Sequence, residues 1–145
     1  MTQVLFVCVH NAGRSQMAEA FFNALAPAEM RAVSAGTQPT AQVNPVVVAA
    51  MAEVGIEMRA HAPKLATPEL VAASDCIITM GCGVKESCPL YLGMKINEDW
   101  GLPDPAGQEI ETVRAIRDQV RARVIDFIER WQAQQESGSP RRRTS

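Results

Sequence analysis

The segment from Val4 to Arg14 combines a cysteine, a short loop and an arginine at a spacing that suits anion chemistry. Apolar residues lead to Cys8, five residues follow it, and Arg14 opens a run of helical character. A strand that turns into a helix directs backbone N–H groups and the positive end of the helix dipole at one spot. Such a spot stabilises a thiolate, and a guanidinium can hold two oxygens of a tetrahedral oxyanion. The segment predicts a nucleophile with a clamp for a phosphate-like anion.

The loop that this interpretation assigns to the anion starts directly after Cys8. It consists of Val9, His10, Asn11, Ala12, Gly13, Arg14 and Ser15. The alternative is that Cys8 is a small core residue, since cysteine is among the most buried residue types. We favour the functional interpretation because glycine, arginine and serine follow Cys8 at a spacing that closes one loop.

Two further cysteines, Cys82 and Cys88, lie in a segment with glycine and lysine that follows the apolar run Asp75–Met80. If that run is a strand of the same sheet, the segment starts at the same edge as Cys8. The pair can form a redox-active disulfide, act as two unrelated surface thiols, or bind zinc. A structural zinc site needs about four ligands, and neither of the two histidines lies at ligand spacing. We favour the redox pair and expect no metal.

The elements that must position these groups alternate between strands and helices. Asn44 and Pro45 form an N-cap with proline at the first helical position, and Gly55 is the expected C′ glycine. This alternation predicts a single three-layer α/β domain with a parallel sheet and helices on both faces. We predict strands at Val4–Val7, Arg31–Ala35, Met58–Ala60, Asp75–Met80 and Met94–Ile96, and helices at Ser15–Leu25, Val46–Val54, from Pro68, and from Ile110 to Trp131.

The composition supports one compact domain of moderate charge. The chain has 145 residues, of which 47% are hydrophobic, and a net charge of −2. We place the domain at residues 1–135 and a disordered polar tail at residues 136–145. The arginine run at 141–143 is interpreted as part of the solvated tail, and no basic face suited to nucleic acid is evident.

The beginning of the chain and its apolar runs indicate the compartment. Residues 1–9 lack the features of a signal peptide, and no apolar run reaches membrane-spanning length. We therefore expect a cytoplasmic protein without a membrane contact, a monomer, whose four cysteines do not form structural disulfides. Cys76, inside an apolar run, is expected to be an inert core residue.

Cys8 and Arg14, separated by five residues and followed by Ser15, resemble the signature of the low-molecular-weight protein tyrosine phosphatase superfamily. Asn11 and the six residues from Ser15 resemble one branch of it, the arsenate reductases. The resemblance covers about residues 4–131. It implies a four-stranded parallel sheet with helices on both faces and the reduction of arsenate to arsenite.

The resemblance also implies a role for each of three cysteines. Cys8 attacks arsenic(V), Cys82 attacks the Cys8 sulfur so that two electrons pass to arsenic and arsenite departs, and Cys88 attacks Cys82. The disulfide thereby moves outward, to be reduced by thioredoxin or by a low-molecular-weight thiol such as mycothiol. Each disulfide transfer is a thiolate attack on sulfur, so access and thiolate pKa govern its rate. No cofactor is implied.

Asp104, which stands between two prolines, resembles the general acid of the family. It would protonate the oxygen that leaves the central atom, a role worth roughly 10²–10⁴ in rate. The alternative is a proline turn with a solvent-facing aspartate, and the loop that begins at Cys8 favours the catalytic role. Trp100 is interpreted as a hydrophobic anchor of the same segment.

Three functions are compatible with the motif after Cys8. A phosphatase of this fold typically has aromatic residues after its Asp-Pro to hold a phosphotyrosine ring, whereas Ala106 and Gly107 follow here. Phosphatases also have no need of a distal thiol pair. A non-catalytic protein that binds an oxyanion or arsenite would gain nothing from Asp104. We therefore expect an arsenate reductase rather than either alternative.

Some members of the family bind potassium near the anion loop. Asn11, Glu19 and Ser34 match the ligand positions, but the threonine and aspartate expected around residues 61–64 are absent. Lys64 can supply a positive charge there instead. We therefore expect no potassium ion.

Overall fold

A computed structural model of the protein describes residues 2–80 and 96–137. The strands are β1 (Thr2–Cys8), β2 (Met30–Gly36), β3 (Cys76–Thr79) and β4 (Glu98–Asp99), and the helices are α1 (Arg14–Leu25), α2 (Pro45–Ala52), α3 (Pro68–Ala72) and α4 (Ile110–Ser137). The four strands are parallel and lie in the order β2-β1-β3-β4. The predicted four-stranded parallel α/β sheet is confirmed.

The strand β1 lies at the centre of the sheet because its apolar residues are covered on both faces. Every side chain of the range Val4–Cys8 is buried. Phe6 faces the large core that α1, α2 and α4 share, whereas Leu5 and Val7 face a smaller cluster beside α3. Helices therefore cover both faces, and the predicted three layers are present.

The capping contacts that the sequence marks for α2 are observed, although the helix ends at Ala52, two residues before the predicted Val54. The Asn44 side chain accepts a hydrogen bond from the Val46 N–H at 2.9 Å, with Pro45 at the first position of α2. Gly55 has φ +83°, its N–H donates to the Ala52 carbonyl, and the next N–H donates to the Met51 carbonyl. This is the Schellman arrangement, in which glycine takes the left-handed conformation at C′.

The strand predicted at Met58–Ala60 is wrong. This segment forms a turn, in which the His61 N–H donates to the Met58 carbonyl at 3.0 Å. Met58 is fully buried in the large core, but both of its neighbours are exposed and Glu57 pairs with Arg59. Met58 is the one apolar residue that anchors this turn in the core. In the sequence, a single apolar residue between polar ones has the same pattern as a short strand.

The last strand lies two residues beyond the predicted Met94–Ile96, whose first two residues are outside the described part of the chain. β4 is the pair Glu98–Asp99, opposite Ile78 and Thr79 of β3. Its side chains are polar because they are used in specific contacts, among them the hydrogen bond from Thr79 to Asp99 at 2.5 Å. Hydrophobic periodicity therefore could not locate this strand.

The long helix α4 packs along the large core and is joined to α2 by a buried arginine. Arg117 is buried and donates to the Ala50 carbonyl at 2.9 Å and to the Glu53 carboxylate at 3.0 Å.

Residues 138–145 of the predicted tail lie outside the described residues, and the domain boundary at 135 stays a prediction. No helix within residues 2–80 and 96–137 is long and apolar enough to cross a membrane.

Cys76 opens β3, and its side chain is only 3% exposed. Burial raises the pKa of this thiol to about 11, and the nearby Glu98 carboxylate acts in the same direction. Both effects disfavour the thiolate, which is the reactive form of cysteine.

This pKa shift predicts a pH dependence of stability. The thiol has an ordinary pKa of 9.0, so in the unfolded chain it ionises at a pH where the folded protein still holds the proton. The free energy of unfolding should therefore fall between about pH 9 and 11, more steeply in the wild type than in Cys76→Ala. Urea denaturation of both proteins across this range measures the difference, and parallel pH profiles would contradict it.

Candidate active site

The sulfur of Cys8 lies at the carboxyl end of β1, enclosed by the loop that follows. The Asn11 N–H donates to Sγ at 3.1 Å, and Ser15 Oγ lies 2.8 Å from Sγ. The Ser15 oxygen accepts a hydrogen bond from Asn11 Nδ2 at 2.8 Å, which leaves its own hydrogen available to the sulfur. Donors directed at the sulfur favour the thiolate, so the local geometry suits a nucleophile.

Asn11 holds the loop in shape. It is fully buried and has φ +52°, a left-handed conformation that asparagine tolerates better than most residues. Its Oδ1 accepts from the Lys64 N–H at 2.8 Å and from Gln16 Nε2 at 3.1 Å. These contacts fix the side chain, and the side chain in turn fixes the loop around the sulfur.

Gln16 is a supporting residue that the sequence analysis did not place in the site. It is fully buried, and its Nε2 also lies 3.1 Å from the carbonyl oxygens of Asn11 and Ala62. Its Oε1 lies 3.1 Å from His61 Nδ1. The signal that could have identified Gln16 is its place in α1: it is a polar amide in a stretch whose side chains pack inward.

Arg14 is buried and connects three parts of the chain. Its Nη1 donates to the carbonyls of Met80 at 3.2 Å and of Leu102 at 2.8 Å, while Nη2 lies 3.6 Å from Asp104 Oδ2. Its Nε is buried and has no hydrogen-bond partner among the residues described. A buried donor left unsatisfied costs about 1–3 kcal/mol, and this N–H is available to an oxygen of a bound anion.

The side chain of Asp104 is half-exposed at the mouth of the site. Its Oδ1 accepts from the Ala106 N–H at 3.0 Å, and this bond turns the other carboxylate oxygen toward Arg14. The segment that carries it begins at Trp100, which is buried and has its ring centre 5.4 Å from that of Phe6. The core thus anchors this segment.

These groups surround a cavity of about 370 Å³. Three residues of its wall, Thr40, Gln42 and Asn44, lack a motif that would have identified them from the sequence. Val9 instead packs beside the smaller core. The side chains of Asn11 and Ser15, two other residues of the loop, are buried and do not line the cavity. The cavity is lined by Cys8, His10, Ala12, Gly13, Arg14, Thr40, Gln42, Asn44, Pro45, Asp104, Pro105, Ala106 and Gly107.

The structure thus brings together Cys8, Arg14 and Asp104, which the sequence analysis had selected from distant positions. Cys82 and Cys88 lie outside the described residues, and their roles stay predictions. Within the described part of the chain, the backbone N–H groups of Ala12 and Gly13 form no hydrogen bond. They are donors that a bound anion could use.

A lysine lies where the resemblance suggested a cation. Lys64 Nζ is 3.7 Å from Glu19 Oε1, and that oxygen accepts a hydrogen bond from Ser34. Glu19 is mostly buried, so the ammonium group supplies a compensating charge beneath the loop. In residues 2–80 and 96–137 no cluster of three or more histidine, cysteine, aspartate or glutamate side chains could hold a metal ion.

Relatives by sequence include several proteins named arsenate reductase. Arsenate reductase 1 of Staphylococcus epidermidis is 34% identical over 127 residues, which cover 88% of this chain and 96% of the relative. The glutaredoxin arsenate reductase of Synechocystis sp. is 37% identical over 129 residues, which cover 88% of this chain and 97% of the relative.

Solved structures with the same fold belong to more than one kind of enzyme. An arsenate reductase in the phosphate binding state aligns with a TM-score of 0.76 at 36% identity, over 90% of this chain and 98% of its own. An arginine phosphatase from Geobacillus stearothermophilus aligns with a TM-score of 0.84 at 24% identity, over 94% and 97%. The second likeness shows the fold alone.

The family model of the low-molecular-weight phosphotyrosine protein phosphatases matches residues 3–137. That range begins in β1 and ends with α4, so it contains the whole of the cavity described above. The chain therefore belongs to the low-molecular-weight phosphotyrosine protein phosphatase family, and the resemblance to the arsenate reductases of this family is confirmed.

Proposed function

We propose that this protein reduces arsenate to arsenite, with Cys8 as the nucleophile. The observation that carries the proposal is the cavity wall around Cys8 and Arg14. It has the unpaired donors that a tetrahedral oxyanion needs, and no phenylalanine, tyrosine or tryptophan among its described lining residues to hold an aromatic ester. Relatives that are 34% and 37% identical and are named arsenate reductase support the same function.

In the first step the Cys8 thiolate attacks arsenic(V) and an arsenic–sulfur bond forms. Arg14 Nε and the loop N–H groups hold the remaining oxygens, and Asp104 gives a proton to the oxygen that leaves as water. Preorganised donors of this kind stabilise charge where it develops and do not have to reorganise during the reaction.

In the second step an electron pair moves to arsenic. The Cys82 thiolate attacks Cys8 Sγ, the arsenic–sulfur bond breaks, its electron pair stays on arsenic, and arsenite departs. The Cys88 thiolate then attacks Cys82, so that a Cys82–Cys88 disulfide forms and Cys8 leaves as a thiolate. An external dithiol or two thiol equivalents reduce that disulfide.

Chain connectivity supports the assignment of Cys82. The Met80 carbonyl is bonded to Arg14, and the Met80 N–H donates to the Val7 carbonyl next to Cys8. Cys82 follows Met80 by two residues in the sequence. For the reductant we propose thioredoxin or a low-molecular-weight thiol such as mycothiol. The name of the Synechocystis relative adds glutaredoxin to the set to be tested.

Activity assays test the proposed function directly. Arsenate should cause oxidation of a coupled thioredoxin, mycothiol or glutaredoxin system, with a higher kcat/KM than that for hydrolysis of p-nitrophenyl phosphate. Cys8→Ser should abolish both reactions. Dominant phosphate-ester hydrolysis without arsenate-dependent thiol oxidation would establish the phosphatase alternative. Anion binding without either reaction would establish a non-catalytic binding protein.

Binding of inorganic phosphate tests the clamp separately. A ligand that binds only the folded protein stabilises it, by about 2.7 kcal/mol at a concentration 100 times its Kd. Phosphate should therefore raise the Tm of the wild type by several degrees and that of Arg14→Met hardly at all. Arg117→Met is the matched control, because it also removes a buried arginine. It should lower the Tm but keep the shift that phosphate causes.

Serine variants test the relay. Cys82→Ser should lose turnover and keep phosphate binding, whereas Cys88→Ser should complete one reduction and trap a Cys8–Cys82 disulfide. Thiol mapping by mass spectrometry after a single turnover with arsenate distinguishes these states. Cys76→Ser is the control and should retain turnover in the folded fraction. If both outer variants keep wild-type turnover, Cys8 works with an external thiol alone.

A further inference from the structure

Gly13, the last residue before α1, lies directly against Pro105. A Cβ atom at Gly13 would be 2.6 Å from Cγ and 3.4 Å from Cδ of Pro105. The proline ring is closed and buried, so it cannot rotate away as a flexible side chain would. Any side chain at position 13 would therefore have to displace the segment that contains Pro105.

Displacing Pro105 would also displace the carboxyl group of Asp104. The two residues are adjacent, and Asp104 Oδ1 accepts the Ala106 N–H at 3.0 Å, so the three residues form one turn around the proline ring. The other carboxylate oxygen lies only 3.6 Å from Arg14 Nη2. A shift of the ring would therefore change the distance between this carboxyl group and the guanidinium.

A second anchor of the same segment does not depend on Gly13. Arg14 Nη1 donates to the Leu102 carbonyl at 2.8 Å, two residues before Asp104. That bond holds the start of the segment, whereas the contact with Gly13 holds the residue after the acid. The two anchors lie on opposite sides of Asp104.

We propose that Gly13 is a positioning residue whose missing side chain forms a slot for Pro105, and that this slot sets the place of Asp104 over Cys8. The proposal rests on the proposed function in one respect, namely that Asp104 is the proton donor for a reaction at Cys8. It applies equally if that reaction is phosphate-ester hydrolysis. It gives Gly13 a second role, in addition to the backbone N–H that this residue can offer to a bound anion.

Gly13→Ala should lower kcat about tenfold to a hundredfold, since a misplaced general acid forfeits part of a contribution of roughly 10²–10⁴. Binding of inorganic phosphate and labelling of Cys8 by iodoacetamide should change less than kcat does, because Gly13→Ala keeps the backbone N–H at position 13 and leaves Cys8 and Arg14 unaltered. Gly101→Ala is the matched control, because a Cβ there meets nothing within 4 Å. It should behave as wild type.

Two double variants separate positioning from a merely structural effect. Gly13→Ala combined with Pro105→Ala should recover the kcat of Pro105→Ala alone, because the ring that clashes is gone. In an Asp104→Asn background, Gly13→Ala should lower kcat no further, and the limb of the pH–rate profile that Asp104 controls should already be lost. These effects are non-additive, as expected for residues in one unit.

Three results would contradict the proposed positioning role of Gly13. They are an unchanged kcat in Gly13→Ala, an equal loss of kcat when Gly13→Ala is made in the Asp104→Asn background, and a loss of phosphate binding that Pro105→Ala does not rescue. The variants are measured on arsenate and on p-nitrophenyl phosphate. A wild type that hydrolyses the ester but does not reduce arsenate refutes the proposed function and still tests the slot. A wild type with neither activity refutes both.

Discussion

The buried charge of Arg14 is the constraint on which the rest of the site depends. A guanidinium inside a folded protein must be compensated by acceptors, since an isolated buried charge is very costly. The carbonyls of Met80 and Leu102 meet this need at one nitrogen. As a result the end of β3 and the segment with Asp104 are drawn to the start of α1. Its Nε is left without a partner among the described residues, and Arg14 and Cys8 line the same cavity, which suits an anion.

The loop around Cys8 has little regular structure, so other contacts must fix it. Buried amides do so on one side, where Gln16 and the Lys64 N–H both bond to Asn11. The end of β2 does so on the other side: a Cβ at Gly36 would be 2.6 Å from the Val9 carbonyl oxygen. The loop is therefore held in its working shape before any anion arrives, which is the condition for effective electrostatic stabilisation.

The sequence predicted those parts whose cause is local. The β1–loop–α1 unit could be read because its apolar run, its loop and its helix follow one another, and the caps of α2 could be read from Asn44 and Gly55. Residues that serve distant partners could not. Met58 is apolar because it anchors a turn in the core, Glu98 is polar although it lies in a strand, and Gln16 is buried because it braces Asn11. In each case a tertiary contact accounts for the residue type, and the hydrophobic periodicity of the sequence does not reveal such contacts.

Cys76 lies in the same sheet as Cys8, but its surroundings keep its thiol unreactive. It pairs with Val4, four residues below Cys8, or about 13 Å along the strand. Because burial raises its pKa to about 11, the Cys76 thiol stays protonated at pH 7. Thiol–disulfide exchange needs a thiolate and an accessible sulfur. Because Cys76 is buried in the sheet, it has neither. The fold thereby keeps Cys76 out of disulfide exchange, whatever chemistry takes place at the Cys8 end of the same strand pair.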